Sequence, residues 1–447
     1  MLLGSHLRLR WPSLPPFRSY NAFYRRFTVL ALESSADDTC CAIVDSDRRI
    51  LANVRIKQNE LHEQYGGIYP AAAVMAHQRN MVSVLFIRRV VIGADLRRAT
   101  IPCEVDLADA VYLSAQPVAI KRALEQAKMD VNDVDGIAFT RGPGMPGCLG
   151  VGCHSAKALA AALGKPLVGV HHMQAHALTP LLTSSSSSEI PEFPFLTLLA
   201  SGGHTLLLLA TSPSKFRILA TALDSSIGRT IDKAARMLQV PGWAENGPGA
   251  ALEKFCAEGE STVPTDFASA LPMPGRLAFS FAGLHSHIER YMDKVGGVEQ
   301  LTEEQRRGVG RAVQDAAFGQ IIEKVQLCFQ KVLEKERIQV GHFVMSGGVA
   351  SNELLRTRLR TCLEDIQRTY EYPNPIIPVF PPPALCTDNA AMIAWTSLYR
   401  FAKGNTDPLT IGPRSKWSIE DLHLGEDQVG DGLWGKNCPP LPQPGES

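Results

Sequence analysis

The sequence lacks any uncharged apolar run long enough to span a bilayer, so nothing in it reads as a transmembrane helix. It also lacks a C-x-x-C pair: among ten cysteines the closest spacings are Cys40–Cys41 and Cys148 to Cys153. In a chain of this size with no secretory signal, such thiols read as buried or free in a reducing compartment, and a disulfide framework is not expected. There is no excess charge of either sign, since 45 Lys and Arg balance 45 Asp and Glu. A nucleic-acid partner would therefore need a local basic patch, because the bulk charge cannot hold it.

Acid is missing from the start of the chain. Arg8, Arg10, Arg18, Arg25 and Arg26 precede the first carboxylate, Glu33. A basic, acid-poor leader able to form an amphipathic helix predicts a mitochondrial transit peptide over 1–27; a merely disordered basic start is the alternative. The remainder is ordinary for a soluble globular protein, with 45% apolar and 20% charged residues, and 447 residues suggest two domains or lobes.

Apolar runs predict strands at 28–32, 40–44 and 49–54, with a polar turn at 33–39. The same order recurs at 195–199, 206–210 and 217–220, with the turn Ser201-Gly202-Gly203-His204-Thr205 after the first run. Both third strands carry Arg-Ile-Leu-Ala, at 49–52 and 217–220. This is an internal duplication, and it predicts two similar lobes. Single strands alternating with helices follow each triplet. They fall at 136–140 and 166–170 around a helix at 151–163, and at 341–345 and 376–380 with helices at 352–363 and 389–401. Each lobe is then a mixed α/β sheet. The boundaries are 28–182 and 191–415, joined by a serine-rich linker at 183–190 and followed by a disordered tail within 416–447. Residues 83–116 interrupt what otherwise reads as helix from 71 to 127, and form an atypical insert.

The chemistry concentrates in His171-His172-Met173-Gln174-Ala175-His176, directly after the strand at 166–170. On a helix, His172 and His176 share a face at the spacing that lets two imidazoles grip one metal. A chance pair in the core or on the surface is the alternative. The position beyond a strand's carboxyl end favours a ligand site; His171 reads as structural. A zinc-protease mechanism is poorly supported, because the residue after the first histidine is Met173 and not glutamate. Asp388 is the candidate third ligand, with helix capping as its alternative role. Two His and one Asp suit a Lewis-acid metal such as zinc, iron or manganese, without fixing the reaction.

Glycine turns at 200–205, 346–352 and 247–249 could bring backbone N–H groups to a nucleotide between the lobes. The turn at 141–147 either lines the cleft or is a tight crossover that needs glycine.

Taken together, these motifs resemble the tRNA threonylcarbamoyladenosine transferase family, long called the glycoprotease family, and in particular its single-polypeptide mitochondrial branch. Its marks are GGIYPAAA at Gly66, RGPGMPG at Arg141, VHHMQAH at Val170, ASGGHT at Ala200, IDKAARML at Ile231, FSFAGL at Phe279, MSGGVASN at Met345 and CTDNAAM at Cys386. The resemblance implies two actin-like, hexokinase-like (ribonuclease-H-like) lobes with the active site in the cleft between them. It implies one divalent metal per subunit, zinc or iron, on His172, His176 and Asp388, and tRNA as a partner. The second substrate would be threonylcarbamoyl-AMP from a separate synthase. Leu199, Ala200, Ser201, Gly202, Gly203 and His204 would lie along the adenylate and carbamoyl group. Asp232, Gly249 and Glu253 would hold the ribose, Ser351 and Asn352 the base side, and Thr387 would neighbour the metal. A homodimer in the mitochondrial matrix, with no membrane association, is implied as well. Departures from the family pattern are mild: Ala36 for cysteine, Gln174 and Arg229 for glutamate, Ala282 for serine and His285 for lysine. Rival readings are an actin-like ATP-binding phosphotransferase and a catalytically impaired tRNA-binding paralogue.

Overall fold

The structure, a computed structural model, describes residues 26–63, 68–81, 118–184, 186, 188–242, 247–264, 267, 273–370 and 375–423. The leader through residue 25, the 83–116 insert and residues 424–447 lie outside them.

Strands β1 (Thr28–Glu33) and β2 (Thr39–Asp45) are buried along their whole length. Both faces of their sheet are covered, so they read as nearly continuous apolar runs with little alternation. Strand β3 (Ile50–Ile56) lies at the edge and is only partly buried. With β4 (Gly136–Gly142) and β5 (Leu167–His171) they form a sheet of order β3-β2-β1-β4-β5. The second sheet contains β6 (Phe195–Ala200), β7 (Thr205–Ser212), β8 (Lys215–Thr221), β9 (His342–Ser346) and β10 (Ile377–Val379). Its order is β10-β9-β6-β7-β8, which is the first order read from the other edge. In each sheet the first three strands form an antiparallel meander and the last two join parallel. The register repeats too. Leu30 sits between Ile43 and Ile137, and Leu196 between Leu209 and Phe343. The duplication predicted from sequence is present as two mixed α/β lobes, each built on a five-stranded sheet.

Side chains alternate across β1. Leu30 and Leu32 point to one face, packed with α1 (Pro70–Met81), α2 (Val118–Ala127) and α3 (Pro146–Leu163). Val29 and Ala31 point to the other, toward α4 (His172–Thr183). On the second sheet, Leu196 and Leu198 face α5 (Ile227–Met237), α6 (Pro248–Ala257), α7 (Ala282–Val295), α8 (Glu303–Cys328) and α9 (Glu353–Thr369). Helix α10 (Ala390–Phe401) completes the set.

Helices α4 and α10 form a shared layer between the two sheets. Although α10 follows the second lobe in sequence, it packs on β1 and β2, while α4 reaches β6 and β9. The division at 182/191 therefore cuts the sequence but not the packing. Residues 416–423, assigned to the tail, are also part of the body. Ile419 is buried, Glu420 Oε1 accepts from the Ile218 N–H at 2.8 Å, and the Trp417 ring lies 4.7 Å from that of His171. Helix α3 starts at Pro146, earlier than the alanine-rich stretch suggests, because proline is preorganised for the first helical turn. Among the described residues, no helix is long and apolar enough to cross a membrane, and eight cysteines are buried and free.

Candidate functional site

Strand β5 ends at His171, whose Nδ1 accepts the N–H groups of Met173 and Gln174 at 3.1 and 3.4 Å. It is the N-cap of α4. Its Nε2–H donates to the Trp417 carbonyl at 3.1 Å, and burial pushes its pKa down to about 3, which keeps the ring neutral for this task. The structural role read from sequence is thus a cap. It leaves His172 as the first residue of α4 and His176 one turn on, both buried.

Asp388 meets them from the far end of the chain. Its Oδ1 lies 3.1 Å from His176 Nε2 and 3.5 Å from His172 Nε2, and the three ligand atoms all fall within 4.8 Å of one another. Capping, the alternative role for Asp388, falls to its neighbour: Asn389 Oδ1 accepts the Met392 N–H at 3.0 Å. The Asp388 side chain keeps 24% exposure against 7% and 1% for the two histidines, so the cluster opens on its carboxylate side.

Glu33, at the end of β1, was not singled out in the sequence. It is fully buried, and its Oε2 accepts from His172 Nδ1 at 3.1 Å, with the Thr140 hydroxyl donating to the same oxygen. Its Oε1 takes the Ser35 N–H at 2.6 Å. The sequence signal was available: a carboxylate closing an apolar strand at the edge where β5 also ends. Burial works against a charged imidazole, but Glu33 and Asp388 outweigh it and raise His172 to about 10. Burial likewise opposes charge on Asp388, yet the two imidazoles hold it well below its ordinary range. For His176 burial dominates, and the pKa falls. One buried and one half-buried carboxylate around two imidazoles make a site that calls for positive charge. The donor set and the Glu33–His172 bond, which orients one ligand from behind, fit a divalent metal.

The proposed substrate turns adjoin this cluster. His204 is lowered to about 4, first by burial and then by the charges of His172 and His176. In the Ser201–His204 turn, the Ser201 hydroxyl accepts the N–H groups of Gly203 and His204 at 3.3 and 3.1 Å, so these donors are already engaged within the turn. Leu199 and Ala200 are buried behind it. Two glycines permit close backbone approach there. A Cβ on Gly228 would stand 2.6 Å from the Ser201 carbonyl oxygen, and one on Gly347 (φ +98°) 2.4 Å from that of Ala200. A Cβ on Gly348 would touch Thr387, which continues the wall to Asp388.

Asp232 and Gly249 come together, with a Gly249 Cβ position 3.3 Å from Asp232 Oδ1; burial raises the Asp232 carboxyl to about 6. Glu253 and Asn352 meet at the start of α9. Glu253 accepts the Glu353 N–H at 2.7 Å and Asn352 accepts that of Leu355 at 3.0 Å. Ser351 donates to the Gly348 carbonyl at 2.7 Å. In the 141–147 turn, Met145 N–H donates to Ser35 O at 2.8 Å, and a Cβ on Gly144 would come within 2.6 Å of that oxygen. This turn is a tight crossover that also braces the acidic turn of the cleft.

Comparison with known proteins finds the family described as "TsaD: tRNA N6-adenosine threonylcarbamoyltransferase", matched over residues 107–395. A mitochondrial tRNA N6-adenosine threonylcarbamoyltransferase of Schizosaccharomyces pombe is 33% identical, covering 94% of this chain and 95% of that protein. A probable mitochondrial counterpart of Arabidopsis thaliana is 34% identical, covering 94% and 79%. The corresponding transferase of Bartonella bacilliformis is 33% identical, covering 89% and 96%.

Proposed function

The chain belongs to the TsaD family of tRNA N6-adenosine threonylcarbamoyltransferases, and from that premise we propose that His172, His176 and Asp388 hold one divalent metal, zinc or iron, at its active centre. The enzyme transfers a threonylcarbamoyl group to an adenosine of tRNA. The donor is threonylcarbamoyl-AMP, supplied by a separate synthase. The acceptor is N6 of the adenosine 3′-adjacent to the anticodon in tRNAs reading codons that begin with A. The amine attacks the carbamoyl carbonyl, the bond to the adenylate phosphate breaks, N6 loses a proton and AMP departs. Convergence within 4.8 Å of three ligand atoms, two from the front half of the chain and one 212 positions beyond His176, carries this reading.

A divalent ion bound there supplies Lewis-acid polarisation and charge neutralisation, an effect of several kcal/mol, roughly, on such a barrier. The rest is work for the chain's own groups. Glu33 holds the proton on His172 Nδ1, so Nε2 is the atom a bound metal would take, in place of the second proton that the two carboxylates otherwise favour. An exocyclic amine is a poor nucleophile, so orientation must supply much of the rate. Leu199 to Gly203 and His204 lie along the adenylate and carbamoyl group, and His204, neutral at pH 7, can hydrogen-bond without adding charge. Asp232 receives the ribose hydroxyls beside Gly249. Glu253 aids it there, Ser351 and Asn352 hold the base side, with Asn352 fixed as the cap of α9, and Thr387 neighbours the metal. No covalent enzyme intermediate is needed.

The S. pombe and A. thaliana relatives are mitochondrial by name, and the leader is basic and acid-poor, which supports a matrix location. A homodimer follows from the resemblance to the single-polypeptide branch. Reconstitution with tRNA, threonine, bicarbonate, ATP and the adenylate-forming enzyme, followed by nucleoside mass analysis, tests the whole. The parent chain yields threonylcarbamoyladenosine; the double change His172→Ala, His176→Ala loses both bound metal and product. Absence of the nucleoside with the parent chain would sink the reading in favour of an impaired paralogue.

A further inference from the structure

Asp388 stands on a short loop between Cys386 and α10. Inside that loop, Asn389 Nδ2 donates to the carbonyls of Leu385 and Thr387 at 3.2 and 2.9 Å. From outside, the loop is gripped by the first lobe. Arg55 on β3 donates from Nη1 to Thr387 Oγ1 at 2.6 Å, while its Nε and Nη2 hold Asp38 Oδ2 at 2.7 and 2.6 Å. Cys40, the cross-strand partner of Arg55, directs its Sγ to the Asp388 carbonyl at 3.7 Å. Paired positions on neighbouring strands present their side chains to one face, so both end on residues 387–388. A guanidinium can serve a carboxylate with two N–H groups and a hydroxyl with another; an ammonium has no such planar fork.

We propose that Arg55 is a positioning residue: it ties the acidic turn of the first lobe to the Thr387–Asp388 loop, and so sets the Asp388 carboxylate against His172 and His176. The proposal rests on the reading of the cluster as a metal site. Metal–ligand distances tolerate only about 0.2 Å of error. A ligand borne on the far segment of the chain therefore needs a fastening to the segment that bears the other two. The sheet pair β2–β3 provides it through Arg55, with Cys40 beside it.

The test uses the full-length protein, titrated with zinc against a chromophoric chelator and, separately, loaded with cobalt for its visible spectrum. The variants are Arg55→Met, Thr387→Val and the two combined. Each single change is expected to weaken zinc binding about tenfold or more and to shift the cobalt bands, as loss of an outer-shell partner does. The combined variant should bind no more weakly than Arg55→Met, because both changes break one link. Thr387→Val leaves the Arg55–Asp38 pair in place, so it reports on the link even if Arg55→Met fails to fold with Asp38 buried and unpaired. Zinc affinity within about twofold of the parent and an unshifted cobalt spectrum in Thr387→Val would overturn the proposal, as would losses that multiply in the combined variant. A parent protein that takes up neither metal would overturn the metal reading itself, and this proposal with it.

Discussion

The turn after β1 and the turn after β6 occupy the same place in two copies of one sheet, yet their chemistry is opposed. The first runs Glu33-Ser34-Ser35-Ala36-Asp37-Asp38; the second is Ser201-Gly202-Gly203-His204, without a carboxylate. Helices α4 and α10 are likewise equivalent, each following the last strand of its sheet and each beginning at the cluster. Two helix N-termini directed at one point oppose a cation there, each by roughly 0.3–1 kcal/mol. The acidic turn offsets them. Glu33 does so directly, bonded to His172. Burial, then the charges of Asp38 and Asp388, raise Asp37 to about 7, so that carboxyl adds little charge of its own, and burial also raises Asp38, against the pull of Arg55. The neutral turn has a different demand on it, close backbone approach, which glycine meets. Duplication thus provided the converging geometry, and divergence of charge divided the labour between the proposed metal side and the proposed nucleotide side.

Glycine contacts repeat in both lobes and allow this comparison to be broken one side at a time. Gly144 approaches Ser35 O in the first lobe as Gly347 approaches Ala200 O in the second, but only Gly347 also has a positive φ. Gly347→Ala is expected to cost about 4 kcal/mol in unfolding free energy, combining backbone strain and overpacking. Gly144→Ala should cost about half that, through the clash alone. Urea unfolding of the two variants decides it, and equal losses would mean that φ at Gly347 carries no weight. On the acidic side, Glu33→Gln keeps the shape but not the charge behind His172. Metal affinity should fall about 10–100-fold, roughly 1.4–2.8 kcal/mol, measured by chelator competition. An unchanged affinity would show that the acidic turn does not serve the cluster.

What the sequence made legible follows from how local each signal is. His172 and His176 are one helical turn apart, and the strands are apolar because both faces are covered, so both could be read from neighbouring residues. Arg55 could not: its partner Thr387 is 332 positions away, and an arginine on an edge strand has no local mark of that task. Glu33 looked like the start of a polar turn, since its burial depends on Thr140 and His172, more than 100 residues on. The exchange of α10 between lobes did leave a trace. Nearly every residue of α10 is buried, and a helix apolar on all sides lies between two layers. Periodicity reports how much of a helix is covered; it does not say which sheet covers it. Trp417 and Ile419 were missed for the opposite reason, because the Gly-, Pro- and acid-rich stretch beyond them dominated the reading of the tail.

The smallest effect is expected at Asp232 on the nucleotide side, and pH sharpens it. Burial lifts this carboxyl from 3.8 to about 6, although its bond from Gly249 and the nearby Arg236 charge pull the other way. Because the folded pKa lies above the unfolded one, the contribution of Asp232 to stability is fully present below about pH 4 and is lost as pH rises through about 6. The full gap corresponds to roughly 3 kcal/mol, and partial solvation of the side chain reduces it to about 1 kcal/mol. Asp232→Asn should therefore match the parent in stability near pH 4 and exceed it by that amount above pH 6.5, as urea unfolding at stepped pH would show. Its effect on substrate runs the other way. If the ionised carboxylate receives the ribose hydroxyls, KM for threonylcarbamoyl-AMP rises in the parent as pH falls through 6. In Asp232→Asn it is raised throughout and flat across that range. A stability gain without that KM change would leave Asp232 as a buried acid of the fold and remove it from the nucleotide side of the cleft.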